Sequence, residues 1–79
     1  MKPDKESLKA RAANDFTYHP PFGDQVERYA EIRGKILDLA NFIIDKTPVS
    51  REQSLALTSL EQVMFNANAA IARNEVNGA

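Results

Sequence analysis

The residues of this chain best able to do chemistry sit within one short stretch, 16–36, FTYHPPFGDQVERYAEIRGKI. Tyr18 and His19 precede Pro20-Pro21, and Arg28, Arg33 and Lys35 follow within a few helical turns. An aromatic ring held by prolines is pre-organised to stack on a planar ligand, and cations beside it suit that ligand's phosphates. The same residues have a plainer use, with Phe16 and Tyr18 plugging an apolar groove and the cations solvated. Catalytic chemistry has little to work with. Glu27 and Glu31 stand one turn apart, but acids at that spacing mostly form a solvated helix face. No nucleophile elbow, phosphate-cradling glycine loop or metal-ligand motif is present, so the expectation is a binding protein and not an enzyme.

Arg33 stands out because it interrupts an otherwise apolar helical line between Val26 and Ala40. A cation placed there needs a partner once partly buried. Two partners fit, a carboxylate such as Glu31 or Asp38 of a neighbouring chain, or a ligand phosphate held by two parallel hydrogen bonds. Asn66 and Asn68 lie amid alanines further on, where Asn is a poor helix former. They fix the register of a helix interface or read a base. Arg73, near a helix end, complements the helix dipole.

These residues need elements to position them, and periodicity supplies two helices. From Asp24, Tyr29, Ile32, Ile36, Leu39 and Ile43 recur at alternating spacings of three and four, one helical stripe. Asp24 with Glu27 has the pattern of a capping box, and Phe22 is placed to staple against the first turn. Lys46-Thr47-Pro48 closes this helix. Ser50 and Gln53 form a second capping box, and Leu57, Leu60, Met64, Ala67 and Ile71 repeat the stripe. Residues 45–49 are too few for anything but an antiparallel hairpin. Residues 1–15 read as a tail or short helix starting near Pro3-Asp4, 16–74 as an aromatic strap plus hairpin, and 75–79 as a polar tail.

Composition bounds the rest. At 79 residues, one core is marginal and association often completes it. A hairpin alone leaves Leu37, Ile44, Leu55 and Val63 wet, and burying such side chains is worth roughly 1.5 to 3 kcal/mol each. The fold class expected is therefore all-α, an antiparallel two-helix hairpin with an N-terminal strap or short helix, assembled as a compact homo-oligomer. There is no cysteine and one histidine, which excludes disulfides and thiolate or His-rich metal sites. A net charge of −1 argues against general DNA binding. No signal peptide or membrane span is legible, so an intracellular protein with neither cofactor nor metal is expected.

The run from Tyr18 to Lys35, the capped helix SREQSLALTSLEQ and the segment ANAAIARN resemble the small phage hairpin proteins of the anti-CBASS and anti-Thoeris sponge group, over residues 16–74. The resemblance implies a non-catalytic sponge. In the host bacterial cytoplasm it would sequester cyclic dinucleotides such as 3′,3′-cyclic GMP-AMP and so block CBASS signalling, with cyclic ADP-ribose derivatives as variant ligands. It also implies a compact hexamer with pockets between paired protomers. A strap tyrosine stacks on a base there, matched by Tyr18, and a basic residue of the first long helix meets phosphate. That position falls on Arg33, where family members carry lysine. His19, Arg28 and Lys35 are the accompanying candidates. A second family site, for cyclic trinucleotides, uses an arginine beside a small polar residue. Here the pair falls on Asn68-Ala69, so the arginine is absent and Arg73, one turn on, stands in. The rival expectation is a structural or adaptor oligomer with no nucleotide ligand.

Overall fold

A computed structural model describes residues 4–75, all three of whose regular elements are helices: α1, Lys5–Asp15; α2, Gln25–Lys46; and α3, Arg51–Asn74. Among the described residues there is no strand. The first helix starts where Asp4 caps it, its carboxylate accepting from the Ser7 N–H at 2.8 Å. It carries little apolar surface and buries no residue. The segment 18–22 is irregular, and Gly23 turns the chain at φ +58°, a left-handed conformation that side chains resist.

α2 does not begin with the expected capping box. Asp24 makes no side-chain cap and instead pairs with Arg28, Nε to Oδ1 at 3.1 Å. The reason lies next door. Gln25 Oε1 accepts the Phe22 N–H at 3.1 Å, and the Gln25 N–H bonds the Phe22 carbonyl, so a turn fixed by Gln25 launches the helix. At the other end, Thr47 Oγ1 donates to the Ile43 carbonyl at 2.7 Å and Thr47 leaves the helix in extended geometry.

Only half of the Ser50 box forms. Ser50 Oγ accepts the Gln53 N–H at 3.1 Å, but the Gln53 amide turns away from Ser50 and donates to the carbonyls of Thr47 and Ile44 and to Thr47 Oγ1. Carbonyls at a helix C-terminus have no intrahelical donors. The Gln53 amide supplies one, tying the start of α3 to the end of α2. At the opposite end Glu75 meets Gln25 and Arg28. Contacts at both ends thus establish the antiparallel hairpin.

The facing stripes are the expected ones. Ile32, Ile36, Ile43, Leu57, Leu60, Met64 and Ala67 are half-buried, and Ile71 is buried, whereas Leu39 stays exposed. The flanks are wet: Val26 is 62 % exposed, Leu37 59 %, Phe42 59 % and Val63 53 %. The radius of gyration is 16.6 Å, against about 12 Å for a compact domain of this length. The accessible surface is 6552 Å², against roughly 4,800 Å² for a compact protein of this mass. One protomer therefore buries far less than a self-sufficient domain does.

Candidate functional site

The cleft is built where three segments converge: the end of α1 with the linker after it, the first half of α2, and the last turns of α3. Three polar contacts close this end. Asn14 Nδ2 donates to the Arg73 carbonyl at 3.2 Å, Asp15 lies 3.4 Å from Arg73, and His19 Nε2 donates to the Asn14 carbonyl at 2.8 Å. Thr17 Oγ1 also bonds the Ala13 carbonyl, wrapping the chain as it leaves α1. The linker is thereby held against α3, with Tyr18 80 % exposed.

An open-sided cavity of about 490 Å³ results, lined among others by Tyr18, His19, Tyr29, Arg33, Asn68 and Arg73, within the size range of small-ligand pockets. Tyr29 and Arg33 share one face of α2 because they lie one turn apart. Ala69 and Ala72 line the α3 wall and leave space beside Asn68. Asn68 Oδ1 is enclosed yet has no hydrogen-bond partner among the described residues. Such an orphaned acceptor is costly and calls for a donor.

The two cations of the cleft differ. Arg73 is already engaged by Asp15. Arg33 is exposed and makes no ion pair or side-chain hydrogen bond among the described residues. Within one protomer, then, Arg33 is not a buried charge in search of compensation. It is a free guanidinium at the rim of a cavity, beside two tyrosines.

Tyr18, His19 and Arg33 are therefore brought together, and Asn68 and Arg73, read as a separate second site, join them in the same cleft. Arg28 and Lys35 are not. Lys35 is two residues past Arg33, about 200° round the helix, and so projects from another face. Arg28 is held by Glu75, Nη1 to Oε2 at 2.8 Å with a second bond from Nη2, and by Asp24. The guanidinium beside it holds the Glu75 carboxyl down to about 2, with the Gln25 amide adding to the effect, and the Arg28 pKa is raised in turn. Gln25, 2 % exposed, donates to Glu75 Oε1 at 3.0 Å. Sequence reasoning overlooked Gln25 and put Glu75 in the tail. Tyr29 was counted only as core, although its position one turn before Arg33 marked it as a cleft neighbour.

Residues 9–72 match the Acb2/Tad1 hairpin-domain family. This chain belongs to that family. Its members are phage anti-CBASS and anti-Thoeris sponge proteins, associated with sequestering cyclic oligonucleotide signals. The family match spans α2, nearly all of α3, the linker and most of α1, so every residue of the cleft except Arg73 falls within it. No curated protein and no solved structure matches the chain. No helix among the described residues is long and apolar enough to cross a membrane, and no cluster of carboxylate and imidazole groups able to hold a metal occurs among them.

Proposed function

We propose that the protein binds and sequesters cyclic dinucleotides, such as 3′,3′-cyclic GMP-AMP, without cleaving them, and so blocks CBASS signalling in the host cytoplasm. The observation that carries this reading is the pairing, on one cavity, of an exposed stacking ring, Tyr18, with an uncommitted guanidinium, Arg33. Tyr18 stacks on a base and Arg33 receives a phosphate through two charge-assisted bonds. A sponge acts by mass action and needs at least micromolar affinity, about 8 kcal/mol. One base stack of roughly 1 to 3 kcal/mol and one charge-assisted contact of about 1.5 to 3 fall short of that. Two of each reach it.

That arithmetic favours a ligand shared by two copies of the chain, each giving one Tyr18 and one Arg33 to a two-fold pseudo-symmetric ligand. The flanks of the hairpin support association, because one protomer leaves the apolar side chains Val26, Leu37, Phe42 and Val63 exposed. A homo-hexamer is the assembly in this reading. Arg73, engaged by Asp15 and one turn beyond the Asn68-Ala69 pair, is poorly placed to serve a cyclic trinucleotide as well.

Isothermal calorimetry with 3′,3′-cyclic GMP-AMP, run beside native mass spectrometry, tests the proposal. Sub-micromolar binding and recovery of the intact ligand are expected. A folded oligomer that gives no heat would leave the adaptor reading standing instead.

A further inference from the structure

The last carbonyls of α1 have no donors within the helix, and the chain that leaves it fills three of them in turn. The Phe16 N–H donates to the Ala12 carbonyl at 2.9 Å, the Thr17 hydroxyl to that of Ala13, and His19 Nε2 to that of Asn14 at 2.8 Å. Tyr18, between the last two, makes no hydrogen bond among the described residues and stands 80 % exposed on the cavity lining. We propose that His19 is a positioning residue, whose bond to the Asn14 carbonyl holds the Tyr18 ring at the cavity, so that His19 acts on the ligand through Tyr18 and not by touching it. The inference rests on the nucleotide-binding reading above and supplies the device that pre-organises its stacking ring.

A ring so exposed has little packing to hold it, and its order must come from the backbone on either side. Thr17 fastens the chain before Tyr18, and His19 fastens it after. Pro20 confines the His19 backbone to extended conformations, but neither Pro20 nor Pro21 has an N–H to offer as an anchor. The next hydrogen-bonded point is Phe22, held by Gln25. Without the His19 bond, the chain from Thr17 to Phe22 would be untied. Asn14 carries the tie onward, because its carbonyl accepts from His19 while its side-chain amide donates to the Arg73 carbonyl at 3.2 Å. The residue next to Tyr18 is thereby referred to α3, the opposite wall of the cavity. A stacking group fixed before the ligand arrives loses less freedom on binding. The plainer use of His19 is to cap α1, a helix that buries no residue. The two uses separate because a carbonyl only accepts: a glutamine amide supplies the N–H at a comparable reach, and leucine keeps bulk without it.

Calorimetry with 3′,3′-cyclic GMP-AMP and backbone NMR relaxation of the ligand-free protein test this on the full chain. The samples are wild type, His19→Leu, His19→Gln, Tyr18→Ala and the double variant Tyr18→Ala with His19→Leu. His19→Leu should weaken the ligand about fivefold, the worth of one ordinary hydrogen bond, and increase the fast motion of the Tyr18 amide, with a melting temperature near wild type. His19→Gln should recover most of both. In the Tyr18→Ala background, His19→Leu should cost nothing more. The proposal is overturned if the His19→Leu loss persists without Tyr18, as direct contact with the ligand would require, or if His19→Gln binds as weakly as His19→Leu. It is also overturned if His19→Leu leaves either the affinity or the Tyr18 motion unchanged, as a cap of α1 alone would. Wild type binding no nucleotide would remove the functional reading itself. In that case the relaxation data still decide the positioning, upheld if His19→Leu frees the Tyr18 amide and overturned if it does not.

Discussion

Glu75 grips Arg28 across the open end of the hairpin, its two oxygens shared between that guanidinium and the buried Gln25 amide. This contact holds the last described residue of the chain on the first turn of α2. Because the folded Glu75 carboxyl titrates near 2 and an ordinary glutamate near 4.5, the unfolded chain binds the extra proton between those values. The stability contributed by the pair is therefore complete above about pH 4.5 and is lost as pH falls toward 2. Thermal melts of wild type and Glu75→Gln should differ by a constant interval from neutral pH down to about 5 and converge below 4.5. An interval independent of pH down to 2 would contradict the assignment.

Tyr18 and Arg33 lie at the cleft and are exposed, whereas Arg28 is structural. Tyr18→Ala and Arg33→Ala should each weaken cyclic GMP-AMP roughly 5- to 150-fold, the equivalent of about 1 to 3 kcal/mol, with melting temperatures close to wild type. Arg28→Ala should reverse the pattern, lowering the melting temperature and leaving affinity near wild type. Lys35→Ala should do neither. Binding isotherms and melts on the same four samples separate the roles, and equal losses of affinity in all four would not fit this division.

Gly34 follows Arg33 in the interior of α2, and a Cβ built on it meets nothing within 4 Å. Alanine is favoured over glycine in a helix by about 1 kcal/mol. Gly34→Ala should therefore raise the melting temperature by about 4 to 8 °C at this chain length. A fall, accompanied by dissociation in size-exclusion chromatography, would reveal a second copy's backbone packed against that glycine.

Asp15 competes for Arg73 at the cleft. Exposed ion pairs are worth at most about 1 kcal/mol, so Asp15→Asn should tighten an anionic ligand no more than about fivefold, with a steeper dependence on salt. Calorimetry at low and high ionic strength checks both effects. A weakened ligand would show that Asp15 positions Arg73 and does not compete for it.

The hairpin was legible because its stripes are periodic and its breaks are chemical: Pro48 and Ser50 between helices, Gly23 before α2. The pairing of Tyr18 with Arg33 was legible through the family resemblance, and their place on one cavity came from the fold. The contacts that shape the cleft were not legible. Asn14 reaches Arg73, and Gln25 and Arg28 reach Glu75, between residues far apart in the chain, and no local pattern encodes such partners. The two expected capping boxes stay incomplete for a related reason. Asp24 and Gln53 have the residue types of capping boxes, but Arg28 and the carboxy-terminal carbonyls of α2 compete for their side chains and win. Arg28 and Arg33 look alike in sequence, but Glu75 and Asp24 hold the first, and no described residue pairs with the second.

Asn14 and Asp15 dock on Arg73, near the far end of the chain. During synthesis the first helix leaves the ribosome long before its docking residue exists. The linker bearing Tyr18 can take its final place only once the last turns of α3 have formed, which makes the cleft dependent on the completion of that helix. A truncated product that ends before α3 is complete would keep both Tyr18 and Arg33 and still lack the wall against which they work, so partial chains should not act as weak sponges.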